Sequence, residues 1–196
     1  MRRRDFLHAV AFDFDLTAEA PCTQAARGLG WRTFSALGKG LLHLPYARLT
    51  GTTALSVLRE GRGTCSGKHA VLKTVAEEHH RVEVQLVECY FLMHAGSTAG
   101  LDGALPEALR HGLPEAHCYI LTTDGVLDVT RPGVSRAYLP AGGILRESPI
   151  RLADLERKAT RHRGFLGGWR ARHAPAFSAE DLWTLREACI RALSDR

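Results

Sequence analysis

The chain has 196 residues, of which 45% are apolar and 24% charged, and a net charge of +5. These values fit a globular protein long enough to bury a core without disulfide staples, and they exclude a disordered or collagen-like chain. No segment approaches the roughly 18 apolar residues that a membrane-spanning helix requires, so no membrane association is expected.

The first residues, MRRR, look like the basic end of a signal peptide. Asp13 and Asp15 then interrupt the segment that would have to be apolar, and the expected location is cytoplasmic. Residues 5–17 read as a strand or buried segment. Residues 24–44 hold Gly28, Gly30, Gly38 and Gly40 among apolar residues and read as one glycine-interrupted helix, broken by His43-Leu44-Pro45-Tyr46. Thr52 or Thr53 caps a short helix, ALSVLRE, that ends at Gly61. After a tight loop at 61–63, a second helix is predicted from Thr64 to about His80, where His79 and His80 as imidazolium suit the negative end of the helix dipole. Residues 82–93 alternate and then turn continuously apolar, as a strand entering a core does. Residues 94–113 are loop-like. Residues 116–130 read as two strands joined by Asp124-Gly125, a short hairpin signal. A C-terminal helix follows Ser178, with Asp181 completing the cap and Leu182, Leu185, Cys189 and Leu193 on one face. Helices, a strand, a hairpin and helices again make an α+β chain.

The positive charge is local. Between Arg146 and His173 there are eight basic residues against three acidic ones, which equals the whole excess. Such a stripe fits either a solvated face or a nucleic-acid or acidic protein partner. The cysteines, Cys22, Cys65, Cys89, Cys118 and Cys189, are odd in number and form no CxxC pair, so neither a disulfide framework nor a zinc knuckle is expected. No dedicated metal site and no cofactor are expected.

Three motifs compete for the chemistry. Asp13-Phe14-Asp15-Leu16-Thr17 matches the DxDxT motif of Mg²⁺-dependent haloacid dehalogenase-type phosphatases. The glycine-led acidic pair such enzymes need downstream is absent, and so is the α/β alternation. GRGTCSGKH imitates a phosphate-binding loop, but Arg62 stands where its first glycine belongs and His69 where its hydroxyl belongs. The same segment read around Cys65 is more coherent. A cysteine at a helix start faces unpaired backbone N–H groups and the positive end of the dipole, which stabilise a thiolate. Gly67 one turn on leaves room for a substrate backbone. A nucleophile needs a base and the base an orienting group, and the hairpin carries His117 and Asp128. A strict Asp124-Gly125 turn pairs Thr123 with Val126 and Asp128 with Leu121. That leaves His117 four residues along the strand, roughly 13 Å away. Asp124 and Glu115 therefore stand as alternatives to Asp128. Lys68 and His69 fall within a turn of Cys65, as electrostatic support or as a solvated lysine and a packed histidine.

GRGTCSGKHAVLKTVAEE (61–78), PEAHCYI (114–120) and LDVT (127–130) resemble the transglutaminase-like superfamily, and HLPYARLTGTTALSVLRE resembles the approach to the nucleophile in its bacterial members. The resemblance covers roughly residues 43–132. Members usually show His-Ala-Trp and Asp-Pro-Thr where this chain has His117-Cys118-Tyr119 and Asp128-Val129-Thr130. The resemblance implies one papain-like domain over 1–196, its cysteine helix packed on an antiparallel sheet, with a basic helical extension over about 146–196. It implies Cys65, His117 and Asp128 as a triad, with Gly63, Ser66, Gly67 and Tyr119 supporting it, acting on a peptide or other amide by transamidation or hydrolysis. Some members are inactive, so a non-catalytic binding module using the basic segment is the alternative.

Overall fold

A computed structural model of the protein describes residues 12–98, 101, 103–132 and 143–194. Among these, six α-helices and a four-stranded antiparallel sheet give a mixed α+β chain. In chain order the elements are α1 (Pro21–Gly28), α2 (Phe34–His43), α3 (Ala54–Glu60), α4 (Cys65–Glu78), β1 (Gln85–Met93), β2 (Leu113–Thr122), β3 (Gly125–Leu127), β4 (Ile144–Ile150), α5 (Lys158–His173) and α6 (Ala179–Ser194). The strand order is β3-β2-β1-β4. Among the described residues no helix is long and apolar enough to cross a membrane. Two compact units are distinguished: one drawn from Met1–Val87, Cys118–Ala137 and Pro149–Leu152, the other from Glu88–His117, Tyr138–Ser148 and Ala153–Arg196.

In the first unit, α4 packs against α1, α2 and α3. Its buried apolar residues Val71, Leu72, Val75 and Ala76 meet a helical layer that includes Leu37, Leu41, Val57 and Leu58. The short helix α3 forms as its sequence predicts: the Thr53 hydroxyl accepts from Ser56 N, and Gly61 closes the helix at φ 62°, a left-handed conformation that glycine adopts without strain. The predicted helix over 24–44 is instead two helices, because the chain turns at Gly30 (φ 84°) and Thr33 caps α2 afresh. α1 has no side-chain cap of its own. Glu78, at the end of α4, supplies it by accepting from Cys22 N, Thr23 N and the Thr23 hydroxyl. His79 reaches back similarly: its Nδ1 donates to Val75 O, and its Nε2 accepts from Thr17 N and Ala18 N. A ring nitrogen that accepts is unprotonated, so His79 ties the 17–18 segment as a neutral imidazole, not as the predicted imidazolium.

The second unit has a different economy. Two carboxylates on strands are buried, and each is met by an arginine from a helix. Glu88 on β1 accepts from Arg161 on α5 at 2.7 and 3.2 Å and from the Tyr90 hydroxyl at 2.9 Å. Glu115 on β2 receives two bonds from Arg186 on α6. Burial, and then the Glu88 charge, push the Tyr90 phenol up to about 12. Around these pairs, Phe91, Met93 and Leu101 pack with Cys189, Ile190 and Leu193, while Leu109 and Leu113 pack with Leu166 and Leu182. Ser178 and Asp181 form the predicted reciprocal cap: Asp181 N donates to Ser178 Oγ, and Ser178 N to the Asp181 carboxylate.

Three further sequence expectations are corrected. The strand predicted from residue 82 starts at Gln85. The extension predicted as helical from 146 begins inside a strand, β4, which closes one side of the sheet. Its sequence, ILRESPI, has no apolar alternation and contains Pro149. Both properties suit an edge strand, where one side of the backbone needs no partner and charge discourages further pairing. The hairpin turn is Thr123-Asp124, one residue earlier than predicted. Thr122 pairs with Gly125 and Leu121 with Val126, so Leu121 is not opposite Asp128. The Thr122 hydroxyl closes the turn by donating to Gly125 O and accepting from Asp124 N, and Gly125 enters the ladder at φ 129°. Of the strand predicted over 5–17, residues 5–11 lie outside the described residues; Asp15 forms an isolated bridge with Thr33.

Candidate functional site

Cys65 is the first residue of α4, after the N-cap Thr64, and it is 5% exposed. The two residues after Gly67 carry the most informative side chains nearby. Lys68 and His69 are both fully buried. Lys68 Nζ donates to Leu44 O at 2.6 Å and to Thr130 O at 2.8 Å. Burial lowers the Lys68 ammonium to about 8 from an ordinary 10.5, with Cys65 and Asp128 acting in the opposite direction. The sequence option of a solvated lysine is thereby overturned: the apolar run that follows it carries it inward on the buried side of α4.

His69 joins α4 to the segment after β3. Its Nδ1 lies 2.7 Å from Cys65 O, a group that only accepts, so Nδ1 carries the proton. Its Nε2 accepts from Val129 N at 2.9 Å. The ring is therefore neutral, both nitrogens are engaged, and His69 is not the base. The Asp128 carboxylate approaches Nε2 to 3.5 Å. Asp128 Oδ1 accepts from Thr130 N at 3.0 Å and from the Thr130 hydroxyl at 2.6 Å, a local turn that fixes the carboxylate. The first unit thus assembles Cys65, Lys68, His69, Asp128 and Thr130 into one buried polar network. Replacing His69 with leucine removes the ring acceptor of the buried Val129 N–H and the ring's bond to the Cys65 carbonyl. The expected cost is about 2–4 kcal/mol in urea unfolding; a loss below roughly 1 kcal/mol would mean that water takes over both bonds.

The other predicted site residues divide. His117 lies on β2 in the second unit, 7% exposed, with its ring edge-on to Phe91. Glu115, an alternative third member, is committed to Arg186. Asp124 is in the hairpin turn, taking a bond from the Thr123 hydroxyl. Tyr119 is fully buried on β2. Ser66 pairs its hydroxyl with that of Thr64. At Gly67 a Cβ would meet Val57 and Leu49 at 3.2 and 3.5 Å, so its bareness lets α3 and α4 pack. Gly63 is similar, with Val57 and Lys68 carbons at 3.2 Å and its N–H already given to Pro45 O.

Asp13 and Asp15 are exposed. Asp13 caps the start of α2 by accepting from Ser35 N and its hydroxyl. Burial pulls its carboxyl upward, but the Ser35 and Phe14 bonds outweigh this and hold it below its ordinary value. Among the described residues no group of three His, Cys, Asp or Glu is arranged to hold a metal ion. In the basic segment, Arg161 is taken by Glu88, Arg163 by Glu180, and Arg170 by the Phe177 carbonyl. Part of the stripe is therefore internal structure.

Scans against family models, curated proteins and solved structures found no match. The chemistry is accordingly argued from the network itself. All five cysteines are buried. Burial, and then Glu78, push the Cys22 thiol up to about 11, and burial raises that of Cys189. Only Cys65 combines a helix N-terminus with a lysine on the same helix, one turn on. Sequence reasoning named Cys65 and Asp128 and offered Lys68 and His69 as support within a turn of Cys65, but missed that both reach the 129–130 segment and that Thr130 joins them. The usable signal was a charged residue three positions from Cys65, directly ahead of the buried run His69–Leu72.

Proposed function

We propose that this protein is a thiol-dependent acyl-transfer enzyme of the transglutaminase-like, papain-like kind, acting on a peptide or other amide. The observation that carries this reading is the position of Cys65 as the first residue of α4, where the positive end of the helix dipole favours a thiolate. The Cys65 sulfur attacks the amide carbonyl carbon, and a C–S bond forms. The C–N bond breaks, the amine leaves with a proton delivered by the base, and a thioester remains. Water or a second amine then displaces the sulfur and regenerates the thiol. His117 is the proposed base, and Asp128, fixed by Thr130, the proposed orienting group. The resemblance in the cysteine block and the hairpin supports these roles.

The test is alkylation of each cysteine against pH, read by mass spectrometry. Cys22 is as buried as Cys65, both 5% exposed, and controls for access. Cys65 is expected to react at least about tenfold faster than Cys22 at pH 7, and His117→Ala to abolish the difference. Equal rates for Cys65 and Cys22 would overturn the nucleophile assignment. Fast Cys65 labelling unchanged in His117→Ala would overturn the role of His117 alone.

A further inference from the structure

We propose that Lys68 is a positioning residue for Cys65: its buried ammonium, pinned by two backbone carbonyls one helical turn beyond the thiol, sets how readily that thiol ionises. This inference rests on the reading of Cys65 as a nucleophile. A lysine near a surface ordinarily snorkels, leaving its stem on apolar groups and its charge in water. Lys68 does not: the whole side chain is buried. Its two acceptors, Leu44 O and Thr130 O, belong to segments outside α4, and neither carries a formal charge. The ionisable groups that act on the ammonium are Cys65, on its own helix, and Asp128, beside the Thr130 segment. His69, the other titratable group of the network, is neutral by its hydrogen bonds and adds no cation.

Residues three apart on a helix share a face, so Cys65 and Lys68 lie on the same side of α4. Clamped by carbonyls at 2.6 and 2.8 Å, the ammonium is not free to swing to solvent when the sulfur loses its proton. A fixed opposite charge in poorly hydrated surroundings favours a thiolate roughly tenfold or more. The ammonium titrates at about 8, so it is mostly protonated at pH 7, where this support is needed.

The experiment measures the Cys65 iodoacetamide rate against pH in the full chain for wild type, Lys68→Gln and Lys68→Met. Gln keeps N–H donors and removes the charge; Met removes both. In both variants the Cys65 curve is expected to move to higher pH and the rate at pH 7 to fall roughly tenfold, with Cys22 and Cys189 unchanged. An unchanged Cys65 curve in folded Lys68→Gln overturns the proposal and leaves the lysine a purely structural role. Should neither variant fold, the wild-type curve decides. An ammonium that supports the thiolate puts the Cys65 midpoint below the ordinary thiol value of about 8.5, whereas a midpoint at or above that value overturns the proposal. Failure of the nucleophile reading is a separate result: wild-type Cys65 then reacts no faster than Cys22 at pH 7, whatever the Lys68 variants do.

Discussion

Replacing Arg186 with methionine is expected to cost about 3–5 kcal/mol, among the largest losses any single substitution in this chain produces. Arg186 donates to both oxygens of Glu115, at 2.5 and 2.7 Å, and the two side chains are 13% and 8% exposed. Methionine occupies similar volume but leaves the Glu115 carboxylate buried with its partner gone. The penalty is the desolvation of that charge more than the worth of the pair, so the double variant Glu115→Gln/Arg186→Met should recover most of the loss. Trp183 provides the readout, because its ring lies 5.2 Å from the Arg186 guanidinium and 4.1 Å from that of Arg163. Urea unfolding followed by tryptophan fluorescence measures both variants. A single-variant loss under about 1 kcal/mol would mean that water reaches Glu115. A double variant no better than the single would mean that packing around Arg186, not charge, carries the cost.

How far the sequence could be read depended on whether local signals decided the outcome. The α3 and α6 caps were legible because Thr53, Gly61, Ser178 and Asp181 act on backbone groups within three or four residues. Cys65 at a helix start was legible for the same reason. The hairpin existed where Asp124-Gly125 pointed, but its register slipped by one residue, because the Thr122 side chain closes the turn on both neighbours and no propensity for Asp-Gly records that. β4 was not legible: its burial is slight, and an edge strand of charged residues and proline carries no alternation to detect. The polar core was least legible. Glu88, Glu115, His69 and Lys68 look like surface residues by type, and each is buried only because a partner far along the chain meets it. Arg186 left a trace, since it falls on the face of α6 that also carries Leu182 and Cys189. Glycine at 67 was read by its commonest use in catalytic loops, and its packing role was not legible. Gly67 is bare because Val57 and Leu49 occupy the space beside it, a tertiary fact that no local pattern announces.

The wild-type chain is expected to gain stability relative to Lys68→Met as pH rises from 8 to about 10.5, by roughly 3 kcal/mol. The sign follows from proton counts. The unfolded chain holds the Lys68 proton up to an ordinary value of 10.5, whereas the folded chain releases it at about 8. Between those values the unfolded state binds more protons, so folding becomes more favourable as pH increases. Below pH 8 both states are protonated and the folded chain bears the full cost of burying the ammonium. Taking the difference against Lys68→Met removes the opposite drift from Cys22, whose thiol burial raises to about 11 and which weakens folding over a similar range. The constant part of the difference reflects the two carbonyl bonds that methionine cannot replace. Urea midpoints at pH 7, 8, 9 and 10 for the two proteins give the slope directly. A flat difference would mean that the ammonium keeps its proton throughout, held by Cys65 and Asp128 more strongly than burial opposes it. A positive slope means that at neutral pH the fold retains a charge that works against its own stability. Lys68 then belongs with the residues kept for what they do to a neighbour, and the thiol at the start of its own helix is one that acts on its charge.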